Sequence, residues 1–314
     1  MSISLIIKTV FFAVILLFML HSPSAFINYA FDGLSNWATN MIPTLFPFMM
    51  LSSIMISCGL DKTLTTLIRP LLKPVFSCST NAIYAILMGF LCGFPMGAKV
   101  TCELYHNQKI DEREANLLLG FCNNIGPAYF LGIVSPILYA CGFSNRLPFL
   151  LGLYLIPFLY GMVLFRIHPH EKKQDNLESP NTPMRPIEAL RAACIENMQS
   201  IILLGGYVTF INALRALLLP LPFTNDTKAI LGSMIEINSG IQDLYLSSLT
   251  DIQKIFFIMV SLSFSSISCF IQAAGFILRE KLSFRFYVQN HCIVTVISAL
   301  YYGICLFLYQ NISF

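Results

Sequence analysis

The chain has 314 residues, 56% of them hydrophobic and 11% charged, with a formal net charge of +3 and a mean hydropathy of +0.71. Soluble domains carry about 25% charged residues, and so few charges cannot coat a water-facing globule, which excludes an ordinary soluble enzyme. The basic residues are dispersed rather than gathered into a stripe, so no nucleic-acid partner is expected.

A helix that crosses a bilayer needs about 20 mostly apolar residues. The first such run is Ile3–Leu20. With Lys8 ahead of Thr9–Leu20 and His21-Ser22-Pro23-Ser24-Ala25 behind it, the run also has the form of a signal peptide. Because the rest of the chain is itself apolar, a retained first helix is expected. Further spans are predicted at Met41–Cys58, Ile125–Ala140, Leu147–Phe165, Met198–Leu219, Lys254–Leu278 and Phe286–Leu308. Two more apolar stretches are interrupted. Asn81–Ala98 is broken by Gly93-Phe94-Pro95-Met96-Gly97, and Ala229–Leu246 by Glu236-Ile237-Asn238-Ser239-Gly240. In the connection Lys99–Glu114, Asp111 and Glu114 have the spacing of a helix N-cap.

The loops richest in Lys and Arg are Asp61–Lys73, Lys99–Arg113, Arg166–Arg191 and Arg279–Arg285. The positive-inside rule places all four in the cytoplasm. They share that side only if both interrupted stretches are re-entrant, the first dipping from inside and the second from outside. The N-terminus is then inside, and there are seven spans. The expected organisation is an N-terminal transmembrane helix and connector (1–36), a first membrane repeat (37–165) and a polar, proline-rich cytoplasmic linker (166–191). A second repeat (192–278) and a C-terminal transmembrane helix (279–314) follow.

The two halves echo one another. Asn40-Met41 and Asn197-Met198 each open an apolar helix, and Asn123 follows Gly97 by the interval at which Ser266 follows Gly240. The opposite orientation of the halves is the arrangement of inverted-repeat transporters, whose sites lie at broken helices near mid-membrane. Chance echoes between apolar helices would look similar. The expected fold class is therefore all-α, a polytopic transmembrane helix bundle with two inverted repeats and interrupted or re-entrant helices.

Backbone polar groups in hydrocarbon must be paired internally. The break at Gly93, Pro95 and Gly97 frees some of them, and a half-helix start suits an anion, with Lys99 adding charge. A packing kink with a snorkelling lysine is the alternative. Asn123 and Asn124, ahead of Gly126-Pro127, offer uncharged donors and acceptors or simply cap the next helix. Glu236 is a carboxylate in an apolar segment, with Asn238 beside it. Such a group usually lines a site or a relay, unless it sits at the water interface. Ser263–Ser268 and Gln272 either line a solute path or pack helices together. His291, in Gln289-Asn290-His291, reads as a structural group.

No HExxH, GxSxG or GxxxxGK[ST] occurs, so no catalytic residue is assigned. The ten cysteines form no CxxC pair and the histidines lack ligand spacing. No metal or cofactor is expected.

The run Gly89-Phe90-Leu91-Cys92-Gly93-Phe94-Pro95-Met96-Gly97-Ala98-Lys99, with Glu103-Leu104-Tyr105, Glu114-Ala115 and Asn123-Asn124, resembles the sporulation integral membrane protein YlbJ family. That family falls within the nucleoside-recognition, or Gate, proteins. Asn197, Gly205-Gly206, Glu236–Gly240 and Ser265–Gln272 resemble the second Gate unit. The chain departs from the pattern at Ser-Phe-Ser-Ser-Ile-Ser (263–268), where a glycine pair is expected before the serine. The resemblance implies a multi-pass cell-membrane protein of endospore formers, in a forespore membrane, linked to moving dipicolinate, a small aromatic dianion. The expectation is a transporter of a small polar or anionic metabolite, lined by Gly93, Pro95, Gly97, Lys99, Asn123, Asn124, Glu236, Asn238 and Gln272. Its partners are lipid, the solute, a coupling H+ or Na+ and, compatibly, further copies of the chain. The alternative is a non-transporting membrane scaffold or assembly component of spore formation.

Overall fold

The computed structural model describes residues 3–76, 78–168 and 184–312. The heart of the predicted polar linker, with Pro169 and His170, lies outside the described residues. Every regular element among those described is helical, as expected of a chain that must satisfy its backbone within lipid. Five helices there are long and apolar enough to cross a membrane. The protein is an integral membrane protein.

Helix α1 (Ile3–His21) is apolar all round and mostly exposed. Helix α2 (Pro23–Asn36) starts with proline in its first turn, where the missing N–H is no loss. It continues through a π turn (Trp37–Met41) into α3 (Ile42–Ser57). The segment expected as a connector is therefore helical and part of one long apolar run, Pro23–Ser57.

Helix α4 (Asp61–Leu72) is amphipathic. Helices α5 (Thr80–Cys92) and α6 (Met96–His106) pack against each other. At about 1.5 Å per residue neither reaches across a hydrocarbon core of about 30 Å. The pair is a short hairpin that turns at Gly93–Pro95. Helix α7 (Glu112–Leu119) is N-capped by Asp111, which accepts from the Glu114 N–H at 2.8 Å. The Glu114 carboxylate reaches instead to Ser79, at the start of α5, accepting from its N–H and hydroxyl at 2.6 and 2.7 Å.

The chain then unwinds at 120–126. It resumes as α8 (Pro127–Tyr129), a π turn (Phe130–Val134) and α9 (Ser135–Ala140). Helix α10 (Leu147–Ile167) spans, showing Leu151, Leu155, Leu159 and Val163 to lipid at one-turn spacing.

The second half opens with α11 (Pro186–Leu214), prolonged by a 3-10 turn (Arg215–Leu218). It packs along α2 and α3. A Cβ on Gly205 would sit 2.4 Å from the Trp37 ring, whose indole N–H donates to the Ile201 carbonyl at 2.8 Å. Helices α12 (Asn225–Ile235) and α13 (Ile237–Leu246) form a second short hairpin, turning at Glu236. Helices α14 (Asp251–Phe264) and α15 (Ser266–Ile277) follow, then the long α16 (Phe284–Ile312).

The predicted span Lys254–Leu278 falls on an apolar helical run long enough to cross, Asp251–Ile277, that is broken at its middle. Ser265 and Ser266 both have positive φ, 76° and 61°, so the α-helical hydrogen-bond ladder cannot run through them.

Candidate functional site

The first hairpin turn lies on the unwound segment 120–126. Gly93 has a φ of 85°, which favours glycine. A Cβ there would fall 2.6 Å from the Gly126 nitrogen, and one on Gly97 would fall 2.1 Å from the Cys122 carbonyl oxygen. Two backbones therefore touch where a side chain would hold them apart. Asn123 stitches the contact: its Oδ1 accepts from the Ala98 N–H at 3.3 Å, and its Nδ2 donates to the Tyr287 hydroxyl at 2.8 Å. Asn124 donates to the Phe121 carbonyl at 2.7 Å, which satisfies an unwound backbone group. Gly93, Pro95, Gly97, Asn123 and Asn124 are thereby brought together.

The second hairpin turn is built around Glu236, which is 1% exposed. Its carboxylate accepts from the N–H groups of Asn238 and Ser239, at 3.2 and 2.9 Å, and from the Asn238 side chain at 3.0 Å. It is an N-cap in which the carboxyl group faces the positive end of the α13 dipole. Glu236 also lies within electrostatic reach of Tyr129 and Cys269.

Helix α15 packs against both α6 and α12. The turn residues Phe94 and Ile237 join one apolar cluster with Ile125, Phe130 and Cys269. The two hairpin tips and the two broken helices thus meet at one junction. Gln272 is buried on α15 and donates to the Ser268 hydroxyl at 3.1 Å.

Lys99 is placed differently from the other candidates. It is 2% exposed and bonds the Ser53 hydroxyl at 2.9 Å and the Glu103 carboxylate at 3.0 Å. Its charge is neutralised on the α3 side of α6. The other buried cations are also matched: Lys109 with Asp61 at 2.8 Å, and Arg215 with Asp243.

What sequence reasoning missed is a set of buried polar atoms without a hydrogen-bond partner. Both ring nitrogens of His291 are in this condition, as are the hydroxyls of Ser265, Ser298 and Tyr129. Leaving such a group unmatched costs about 1–3 kcal/mol, and each calls for an explanation. Of these residues Ser298 lines a small cavity, together with Phe94, Asn124, Ile125, Ser263 and Val294 among others. The available signal was the seven-residue spacing of His291 and Ser298, which puts both on one face of an otherwise apolar helix.

Residues 38–141 match the Gate family, described as nucleoside recognition. The chain is 25% identical over 317 aligned positions to the sporulation integral membrane protein YlbJ of Bacillus subtilis (strain 168), an alignment covering 88% of this chain and 76% of that protein. No solved structure matches. The resemblance carried by Gly89–Lys99 and the motifs around it is thus found over most of the chain.

Proposed function

We propose that this membrane protein transports a small polar or anionic metabolite, with dipicolinate during sporulation as the first solute to test. The observation that carries the reading is the convergence of two short hairpin tips and two broken helices on buried polar atoms without partners. A structure that served only to scaffold would gain by filling those positions with apolar side chains. Broken helices near mid-membrane are the usual place for a solute in transporters built from inverted repeats. The element sequence supports such a repeat: α5–α6 corresponds to α12–α13, and the break at 120–126 to that at Ser265. In this reading one repeat rocks against the other and exposes the junction to each side in turn. Asn123 and Asn124 orient the solute, and Glu236 gates or couples.

The test is flux into liposomes carrying the inserted protein, with labelled dipicolinate, a nucleoside and an unrelated dicarboxylate. Saturable uptake of one of them, abolished by Glu236→Gln with insertion intact, supports the reading. Absence of flux for every solute refutes it and leaves a non-transporting membrane component of spore formation.

A further inference from the structure

We infer that His291 is the residue that binds the acidic group of the solute at the junction, and that it takes up one proton as the anion enters. The inference deepens the transport reading and rests on it. The ring is 3% exposed and sits on α16 among aromatic rings from three elements. Tyr287 is at 4.5 Å between centroids, Phe270 of α15 at 5.8 Å and Phe94 of the first hairpin turn at 6.5 Å. Neither nitrogen meets a partner. One turn and two turns further along the same helix face, Val294 and Ser298 line the small cavity that Phe94 and Asn124 also border. The imidazole is thus a donor and acceptor held at the meeting point of the moving parts, with its hydrogen-bonding capacity unused.

An anion brought into this low-dielectric place needs a compensating charge, and the buried cations among the described residues already face carboxylates. Lys99 faces Glu103 and Arg215 faces Asp243. The α13 N-terminus is closed by Glu236. At the start of α6, Met96 N–H donates to the Gly93 carbonyl and Ala98 N–H to Asn123. At the start of α15, the Cys269 N–H donates to the Ser266 hydroxyl.

The cations on the elements packed around His291 are turned to the surface or paired: Arg285 on α16 and Arg166 on α10 are exposed, and Lys254 at the start of α14 faces Asp251. Other titratable groups on these elements include Tyr287 and Cys292 on α16, Cys269 on α15 and Tyr154 and Tyr160 on α10. Tyr154 donates to the Ile125 carbonyl and Tyr160 to Asn290. Helix α14 presents no ionisable side chain between Ile255 and Phe264. Helix α7 approaches α16 through its uncharged end, where Asn116 accepts from the Ser283 N–H. The Glu236 carboxylate lies near Cys269 and Tyr129.

The step balances simply. The solute carboxylate and one proton enter from the same aqueous side, the proton rests on the second ring nitrogen, and the imidazolium donates to the carboxylate oxygen. When the solute leaves, the proton leaves with it. The protein is then an anion–proton symporter, and the ring is neutral in the empty site.

The experiment is calorimetric titration of the full-length protein in detergent with dipicolinate near pH 7, in two buffers of different ionisation enthalpy. The difference between the two heats counts protons. The expected result is uptake of about one proton per dipicolinate bound by the wild-type protein. His291→Gln keeps a hydrogen-bonding side chain, binds about tenfold or more weakly and takes up none, the loss of a charge-assisted bond. Wild-type binding without proton uptake overturns the inference, and so does uptake that survives in His291→Gln but vanishes in Glu236→Gln. The wild-type measurement stands by itself if the variant does not fold. Binding and flux with no proton count would sink the His291 role while leaving transport in place. No binding and no flux would sink both.

Discussion

Asn123 and Tyr287 lie 164 positions apart in the chain, yet the Asn123 amide donates to the Tyr287 hydroxyl at 2.8 Å. The bond joins the unwound segment of the first half to the last helix, and Tyr287 in turn stacks edge-on against His291. It is a direct polar link between the unwound segment 120–126 and α16.

That link predicts coupled losses. Asn123→Ala removes the bond to Tyr287 and the acceptor for Ala98, and should cost about 1–3 kcal/mol. Tyr287→Phe should cost less. The double variant should lose less than the sum, with a coupling of about 0.5 kcal/mol or more. Thermal unfolding in detergent of the four proteins measures it, and strict additivity would dismiss the link.

Close backbone approach predicts a contrast between two glycines. Gly97→Ala places a methyl 2.1 Å from the Cys122 carbonyl oxygen, whereas nothing lies within 4 Å of a Cβ on Gly206. The contact is with main chain, so the hairpin must shift. A stability loss of about 1–3 kcal/mol, with loss of flux, is expected for Gly97→Ala. Gly206→Ala should be neutral or slightly stabilising, since alanine favours helix. Equal behaviour of the two would mean that the hairpin does not seat on 122–126.

The buried Lys109–Asp61 pair ties the α6–α7 connection to the start of α4, and Lys109 also donates to the Ile56 carbonyl at 3.0 Å. Removing one partner strands the other charge. Lys109→Met or Asp61→Leu alone should each cost about 3–5 kcal/mol, and the pair together should recover much of it. Unfolding midpoints in a denaturing detergent report this. If the double variant is worse than either single one, the pair contributes net stability rather than matched burial.

At Ser265 and Ser266 the chain adopts left-handed geometry with side chains that disfavour it. Glycine there removes a steric cost of about 1–2 kcal/mol per residue. Ser265→Gly should therefore raise the melting temperature. It also removes a buried hydroxyl without a partner, so a fall in solute affinity alongside the gain would assign that hydroxyl to the solute. A lowered melting temperature would show that the break is held by the serine itself.

Much of the architecture follows from local properties. Apolar length alone marks α10, α11 and α16, because a segment either matches the bilayer thickness or does not. Glycine and proline mark the break at Gly93–Gly97, since their backbone limits act within a few residues. The Glu236 break is marked by a charge that apolar surroundings do not accept alone. The Lys99–Glu103 pair was equally open to reading, as residues four apart on a helix face one another. Other features arise only from what distant helices bring. The break at Ser265 has no glycine or proline to announce it. Asp61 could have been one more exposed loop acid until Lys109 met it. His291 stands without a partner among the rings of Phe94, Phe270 and Tyr287, which three separate elements bring to it. Whether a polar side chain is satisfied is a property of the surrounding packing, and one residue's sequence context does not contain it.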